Sequence, residues 1–157
     1  MNQYQILRSF PRSIHEGPSH VRNVRDAGYH TALIGKSHLY LHGRGAPASH
    51  SRDKTSILNS WGFDDLHELH GPIASANHGS PYTDYLEEQG LLDTHRQFIT
   101  GFRIPWANGT LKPWNEKPCP LPTEAHLDSY TGRTTVEWLR NYDGEKPFYT
   151  QILFPGP

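Results

Sequence analysis

The stretch Ala27-Gly28-Tyr29-His30-Thr31-Ala32-Leu33-Ile34-Gly35-Lys36-Ser37-His38 decides the fold class. Tyr29 to Ile34 is a short apolar run rich in residues that suit a pleated strand. Gly28 ahead of it fits the position just past a helix end, where left-handed backbone costs glycine little. Ser19, after Pro18, fits a helix N-cap, and Val21 and Val24 give that helix a short apolar side. A helix passing to a strand within one turn is the order of an α/β unit, not of a helical bundle. The strand then delivers a glycine, a lysine and a histidine into one loop. A lysine ammonium is a compact point charge suited to an oxyanion, and a histidine two residues on titrates near neutral pH. Open α/β sheets bind ligands at their strand ends. Lys36 and His38 are therefore the candidate site residues, for a phosphate-like or sulfate-like substrate.

Outward from this unit the chain divides into an irregular lead-in over 1–17, the helix, strand and site loop over 18–40, a loop-rich excursion over 41–122, and a helix and strand over 123–157. Pro11 and Pro18 break the lead-in. The excursion holds short elements around Ile57 to Leu69. Tyr82, Tyr85, Leu86, Leu91 and Leu92 then suggest one helix interrupted at Gly90. Gly101 to Pro122 reads as irregular. The clearest helix runs from about Thr123 to Tyr142, with Leu127, Tyr130, Trp138 and Leu139 as its apolar side and Gly144 past its end. Phe148 to Phe154 is strongly apolar and reads as an interior, parallel strand.

The chain has 157 residues, enough for one modest domain with a core, and its 13 prolines and 14 glycines imply many loops. A formal charge of −1 gives no electrostatic case for nucleic acid or for an anionic membrane. No apolar run approaches a membrane span, and Met1 to Arg12 lack a signal-peptide core. With Cys119 as the one cysteine, no internal disulfide forms. Location and oligomeric state are not legible.

The segment Arg25 to Leu39 resembles the sulfatases of the alkaline-phosphatase-like superfamily, in which a helix ending in Ala-Gly-Tyr leads to a strand and then Gly-Lys-x-His. Further matches follow in order. Gly62-Phe63-Asp64-Asp65 and Ser80-Pro81-Tyr82-Thr83-Asp84-Tyr85-Leu86 are similar to bacterial arylsulfatase-like and choline-sulfatase-like members. At the far end Leu127 to Arg133 and Val136 to Leu139 precede Lys146-Pro147-Phe148 and Phe154-Pro155-Gly156-Pro157. The resemblance spans nearly the whole chain from Pro11 onward, and ordered matches are more specific than any one of them.

The resemblance implies a partial alkaline-phosphatase-like fold: a doubly wound sheet with helices on both faces, lacking its N-terminal and C-terminal strands. Residues 1–157 would be an internal fragment of a single sulfatase catalytic domain. The implied activity is that of a sulfuric ester hydrolase acting on small-molecule or carbohydrate sulfate esters. Its cofactors would be a divalent cation, commonly Ca2+, and a formylglycine nucleophile made from the first residue of Cys-x-Pro-x-Arg or Ser-x-Pro-x-Arg. Neither signature is here. Cys119 is followed by Leu121 where proline belongs and Thr123 where arginine belongs, and Ser9-Phe10-Pro11-Arg12 has its arginine one place early. The family's paired metal aspartates and the histidine after Phe-Pro-Gly-Pro are also missing. By the resemblance Lys36 contacts a sulfate oxygen and the formylglycine, while His38 holds the formylglycine hydroxyl and takes its proton. The chain alone is expected to be inactive.

Rival readings stand beside this one. A phosphonate monoester or phosphodiester hydrolase of the same superfamily shares the oxyanion chemistry, and a non-catalytic remnant needs none of it. His38 and His42 are four apart, as helical metal ligands are, but Gly35, Gly43 and Gly45 argue against a helix there. Asp64 and Asp65 with His67 and His70 suggest a metal site by spacing; solvated loop residues are the better account, since no apolar strand precedes the acids. Asp128 and Arg133 read as a surface or helix-end ion pair. Trp106 and Trp114 read as loop packing as readily as an aromatic wall.

Overall fold

The computed structural model describes residues 18–40, 49–112, 114 and 116–156. Met1 to Gly17, His42, Gly43 and Gly45 lie outside them, and with them the readings of the lead-in and of the His38–His42 pair. Helix α1, His20–Asp26, starts where Ser19 Oγ accepts from the Arg22 amide at 3.5 Å, and Gly28 follows it with φ of 97°. Both ends thus use the residues the sequence marked for them. The Ser19 hydroxyl also donates to the Trp61 carbonyl at 2.6 Å, tying the helix start to a later element.

Strand β1, His30–Gly35, leaves α1 at once and is fully buried from Thr31 to Gly35. Helix α2, Thr55–Ser60, leads to β2, Asp65–Glu68, which pairs parallel to β1 from Ala32 opposite Asp65 to Gly35 opposite Glu68. Strand β3, Phe148–Leu153, pairs parallel on the other side, from His30 opposite Phe148 to Gly35 opposite Leu153. The protein is therefore α/β, with a small parallel sheet in the order β2–β1–β3 among the described residues. The crossover from β1 goes one way and the return from β2 goes the other.

Alternation along the strands sorts the packing. Leu33 shares its face with Tyr149 and Leu153, and these join Val21 of α1, Leu58 of α2 and Phe63 in one apolar cluster. His30 and Phe148 point to the other face, where Trp138 and Tyr142 of the last helix meet them with ring centroids 5.3–6.4 Å apart. A second cluster lies beyond the sheet. It joins Leu69 to Tyr82 and Leu86 of α3, Pro81–Glu88, to Leu92 of α4, Leu92–Phe98, and to Leu121, Ala125 and Leu127.

Several expectations change. Among the described residues the run 41–122 contributes a sheet strand and four α-helices. Helix α4 does not end in an irregular stretch but continues through a π-helical turn, Ile99–Arg103, into α5, Ile104–Ala107. The last helix, α6, spans Leu127–Asn141; a 3-10 turn over Thr123–Ala125 precedes it, because His126 is extended. Its buried stripe is Leu127, Thr131, Thr134 and Thr135, whereas Leu139 is 44% exposed. Strand β3 is parallel as expected but not interior among the described residues. β1 holds the centre, and Phe148 and Ile152 are 44% and 38% exposed. Arg133 does not pair with Asp128; its guanidinium donates to the Glu124 carbonyl at 3.0 Å and lies over Tyr85 and Tyr130.

Candidate functional site

Gly35 explains why the site loop starts where it does. Its φ is 113°, and a side chain there would overlap the Leu153 carbonyl. That carbonyl accepts instead from the Lys36 amide at 3.1 Å, so β3 grips the first loop residue by its backbone. Glycine is needed both for the turn and for the close approach.

The loop that follows alternates in burial. Lys36 is half-buried, Ser37 is buried at 3% exposure, His38 is exposed and Tyr40 is buried again. The Lys36 chain is laid across the loop after β2: a methyl added to Gly71 would come 2.7 Å from Lys36 Nζ. Burial and the neighbouring Lys36 charge together hold the His38 pKa below the usual histidine value. A neutral imidazole thus follows a cation out of the central strand. His70, one residue before Gly71, is 1% exposed, and its ring lies 5.5 Å from that of His78.

Glu68, the last residue of β2, reaches under this loop. Its two carboxyl oxygens each accept from the Ser37 amide at 3.2 Å. The carboxyl is 3% exposed. Burial raises its pKa to about 7, against the opposing pull of the polar groups of Ser37 and Tyr40 and of the Lys36 charge. Burial and the same carboxyl push the Tyr40 phenol well above its ordinary range. Sequence reasoning missed Glu68 because Asp65–Glu68 carries one apolar residue and did not read as a strand. A period of two was the available signal. It places Glu68 on the face of Leu66, which packs against the β1 cluster.

The acidic pair lies at the opposite end of β2. Asp64 accepts from the Thr31 amide at 3.0 Å and from the Thr31 hydroxyl at 2.9 Å. Asp65 Oδ2 meets His30 Nε2 and the Trp138 indole N–H, each at 2.8 Å. Burial pushes Asp65 up, but those hydrogen bonds and the charges of His30 and His67 bring it below the usual carboxylate range. His67 faces this end and His70 follows the other end of β2, so the four residues grouped by spacing do not converge. Asp65 is a bonded strand residue, whereas Asp64 is an exposed residue of the bend before β2 that also bonds Thr31.

Two cavities flank the sheet. One of about 720 Å³ lies at the edge of His30 and Asp65, walled by Trp138, Tyr142 and Lys146. The other, about 390 Å³, runs between α4, the π-helical turn and α6, and reaches Pro72 after β2 and Gly156 after β3. Lys36 and His38 line neither. His95 on the second cavity is hydrogen-bonded to Ser75 at 2.7 Å, but Ser75 is fully buried and also donates to the Pro72 carbonyl at 2.7 Å. That pair is a structural tie; burial brings His95 down to about 4. Cys119 is a free thiol packed on the second apolar cluster, and Trp106 and Trp114 are 41% and 75% exposed.

Lys36 and His38 thus stand at the carboxyl end of the central strand, where the order β2–β1–β3 reverses direction, the place where open α/β sheets bind ligands. In comparisons with known proteins, no family model matches this chain, and neither a curated protein nor a solved structure is similar to it.

Proposed function

We propose that the chain carries the oxyanion-binding and proton-transfer part of a sulfuric ester hydrolase with an alkaline-phosphatase-like fold, and that Lys36 and His38 are its catalytic residues. The observation that carries this reading is the placement of both at the reversal point of the sheet, the cation laid over Gly71 and the imidazole kept neutral. The resemblance of the ordered motifs to sulfatases favours sulfate as the oxyanion.

Lys36 stabilises charge that grows on the sulfate oxygens as the ester bond breaks. One preorganised donor of this kind contributes roughly 3 kcal/mol to the barrier. His38, uncharged at pH 7, accepts a proton at a ring nitrogen, a general-base role. A formylglycine, when present, would supply the nucleophile; its precursor signature is not among these residues. The described residues do not fit a divalent cation beside Lys36. Asp64 and Asp65 are bonded at the far end of the sheet, Glu68 is taken by the Ser37 amide, and no group of three metal-ligating side chains occurs among the described residues.

Titration of the chain with inorganic sulfate at pH 7, followed by the His38 ring resonances, tests the reading. Saturable binding is expected. Lys36→Ala should weaken it about tenfold or more, the worth of one charge-assisted hydrogen bond, with an unchanged urea midpoint. No binding by the wild-type chain overturns the reading. Clear preference for a phosphonate or phosphate ester over a matched sulfate ester moves it to the phosphonate monoester or phosphodiester class.

A further inference from the structure

We propose that the cavity between α4, the π-helical turn and α6 is a binding pocket for an aromatic organic anion, which puts its rings against Phe98 and Phe102 and its charged group at Arg103. Lys36 and His38 line no part of this cavity. It is a second site, and it stands whether or not the loop after β1 holds sulfate.

A change of helical pitch builds its wall. Helix α4 ends at Phe98, and the Ile104 amide then donates to the Ile99 carbonyl, five residues back rather than four. Such π-helical turns are rare and frequently sit at functional sites. This one sets Arg103 a single turn beyond Phe98, so the guanidinium shares the cavity wall with the rings of Phe98 and Phe102. The two rings stack with centroids 5.4 Å apart and planes 26° from parallel. Leu121 and Leu127, from the second apolar cluster, extend the apolar lining. The free space is about 390 Å³. A dry apolar cavity of about 150 Å³ holds one benzene ring, so two fused rings fit here. Few polar groups on a mostly apolar wall is the usual make-up of a small-molecule pocket.

Those polar groups choose the charge of the ligand. Arg103 and Lys117 bring positive charge to the lining, and Asp128 is its one acid. Asp128 is engaged with the residues after β3, since its Oδ1 accepts from the Gly156 amide at 3.4 Å. No carboxylate lies within ion-pair distance of Arg103 or Lys117 among the described residues. Arg103 lies instead over the Trp106 ring, 5.4 Å from its centroid. An aromatic face steadies a guanidinium and leaves its N–H edge for an oxyanion. The neutral polar groups are already used: His95 by Ser75, the Tyr82 hydroxyl by the Ala125 carbonyl and the His126 ring by the Leu121 carbonyl. A sugar would find few partners on such a wall, and an organic cation would meet two like charges. A fused ring with one carboxylate or sulfonate matches both parts of it.

Calorimetric titration of the chain with naphthoate at pH 7, beside the neutral naphthylmethanol, tests the pocket. Naphthoate should bind saturably and about tenfold or more tightly than the alcohol, the worth of one charge-assisted hydrogen bond. Cys119, the one cysteine of the chain, lines the same cavity, so bound naphthoate should slow its alkylation by iodoacetamide several-fold. Arg103→Gln should erase the preference for naphthoate and leave the affinity for the alcohol as it was. Lys117→Gln, at an exposed position, should reduce the same preference and serves if Arg103→Gln does not fold. Phe102→Leu should weaken both ligands alike. Lys36→Ala should leave naphthoate binding unchanged while sulfate binding falls. No saturable binding of naphthoate, equal affinity for the alcohol, or full-rate alkylation of Cys119 in its presence overturns the pocket. So does a preference that survives Arg103→Gln. Loss of naphthoate binding in Lys36→Ala would place the anion at the loop after β1 and overturn it as well.

Discussion

At the N-terminal end of the sheet His30, Asp65 and Trp138 answer one another at 2.8 Å, whereas at the C-terminal end Lys36 and His38 leave the same strand as a cation and an imidazole that burial and the cation keep neutral. The carboxyl nearest that second pair is spent on the backbone of the loop, at the Ser37 amide. Polar groups at the first end satisfy each other and hold the strands together. Lys36 and His38 at the second end make no such bonds among the described residues, which suits a site for an outside anion. The contrast predicts that substitutions at one end act on stability and at the other on binding.

Gly35→Ala should break the contrast most severely, since it lies where the two demands meet. A methyl there overlaps the Leu153 carbonyl and sits on backbone at φ of 113°. Left-handed strain and overpacking together should cost more than about 3 kcal/mol in urea denaturation. A loss under about 1 kcal/mol would mean that β3 yields easily and does not fix the site loop.

Asp65→Ala comes next and should act on stability alone. It strands the Trp138 N–H and the His30 ring, at a cost of about 1–3 kcal/mol for buried donors left unmade, reduced here because the carboxyl is half-exposed. Sulfate binding at the far end should not change. The pKa of Asp65 is depressed in the folded chain, so its contribution is present above the unfolded value near 4 and is lost as pH falls through the folded one. Wild type should therefore lose its advantage over Asp65→Ala in denaturation below pH 4. An advantage that persists to pH 2 would show that the His30–Asp65–Trp138 contacts carry little of it.

The sequence made one half of this contrast visible. An apolar run ending in Gly35, Lys36 and His38 announces a strand and a charged loop, because strand preference and loop chemistry are local. β2 escaped, since only Leu66 in Asp65–Glu68 is apolar and its burial comes from β1 and the helices around it. The place of β3 escaped for a related reason: whether an apolar strand lies inside a sheet depends on which neighbours it finds, and Phe148 and Ile152 remain partly exposed. Asp65 looked like a solvated loop residue because its partners, His30 and Trp138, come from distant parts of the chain; Asp64 is an exposed loop residue, tied to Thr31. Glu68 was hidden twice over, in an unseen strand and under a loop defined by another.

The finest test of the contrast is Gly71→Ala. The backbone of Gly71 is not left-handed, so alanine fits it, and Gly-to-Ala exchange at such a site gains about 0.4–1 kcal/mol through the unfolded state. The new methyl would come 2.7–2.9 Å from Nζ, Cε and Cδ of Lys36. The far end of a lysine yields at little cost, so the ammonium should leave its present course while the fold stays intact. The expected outcome is an unchanged or slightly higher urea midpoint with sulfate binding weakened several-fold. Stability and binding falling together would tie Gly71 to folding and dissolve the distinction between the two ends. An unchanged affinity would show that Lys36 finds the anion from more than one path, and that the surface of the β2 loop does not direct it.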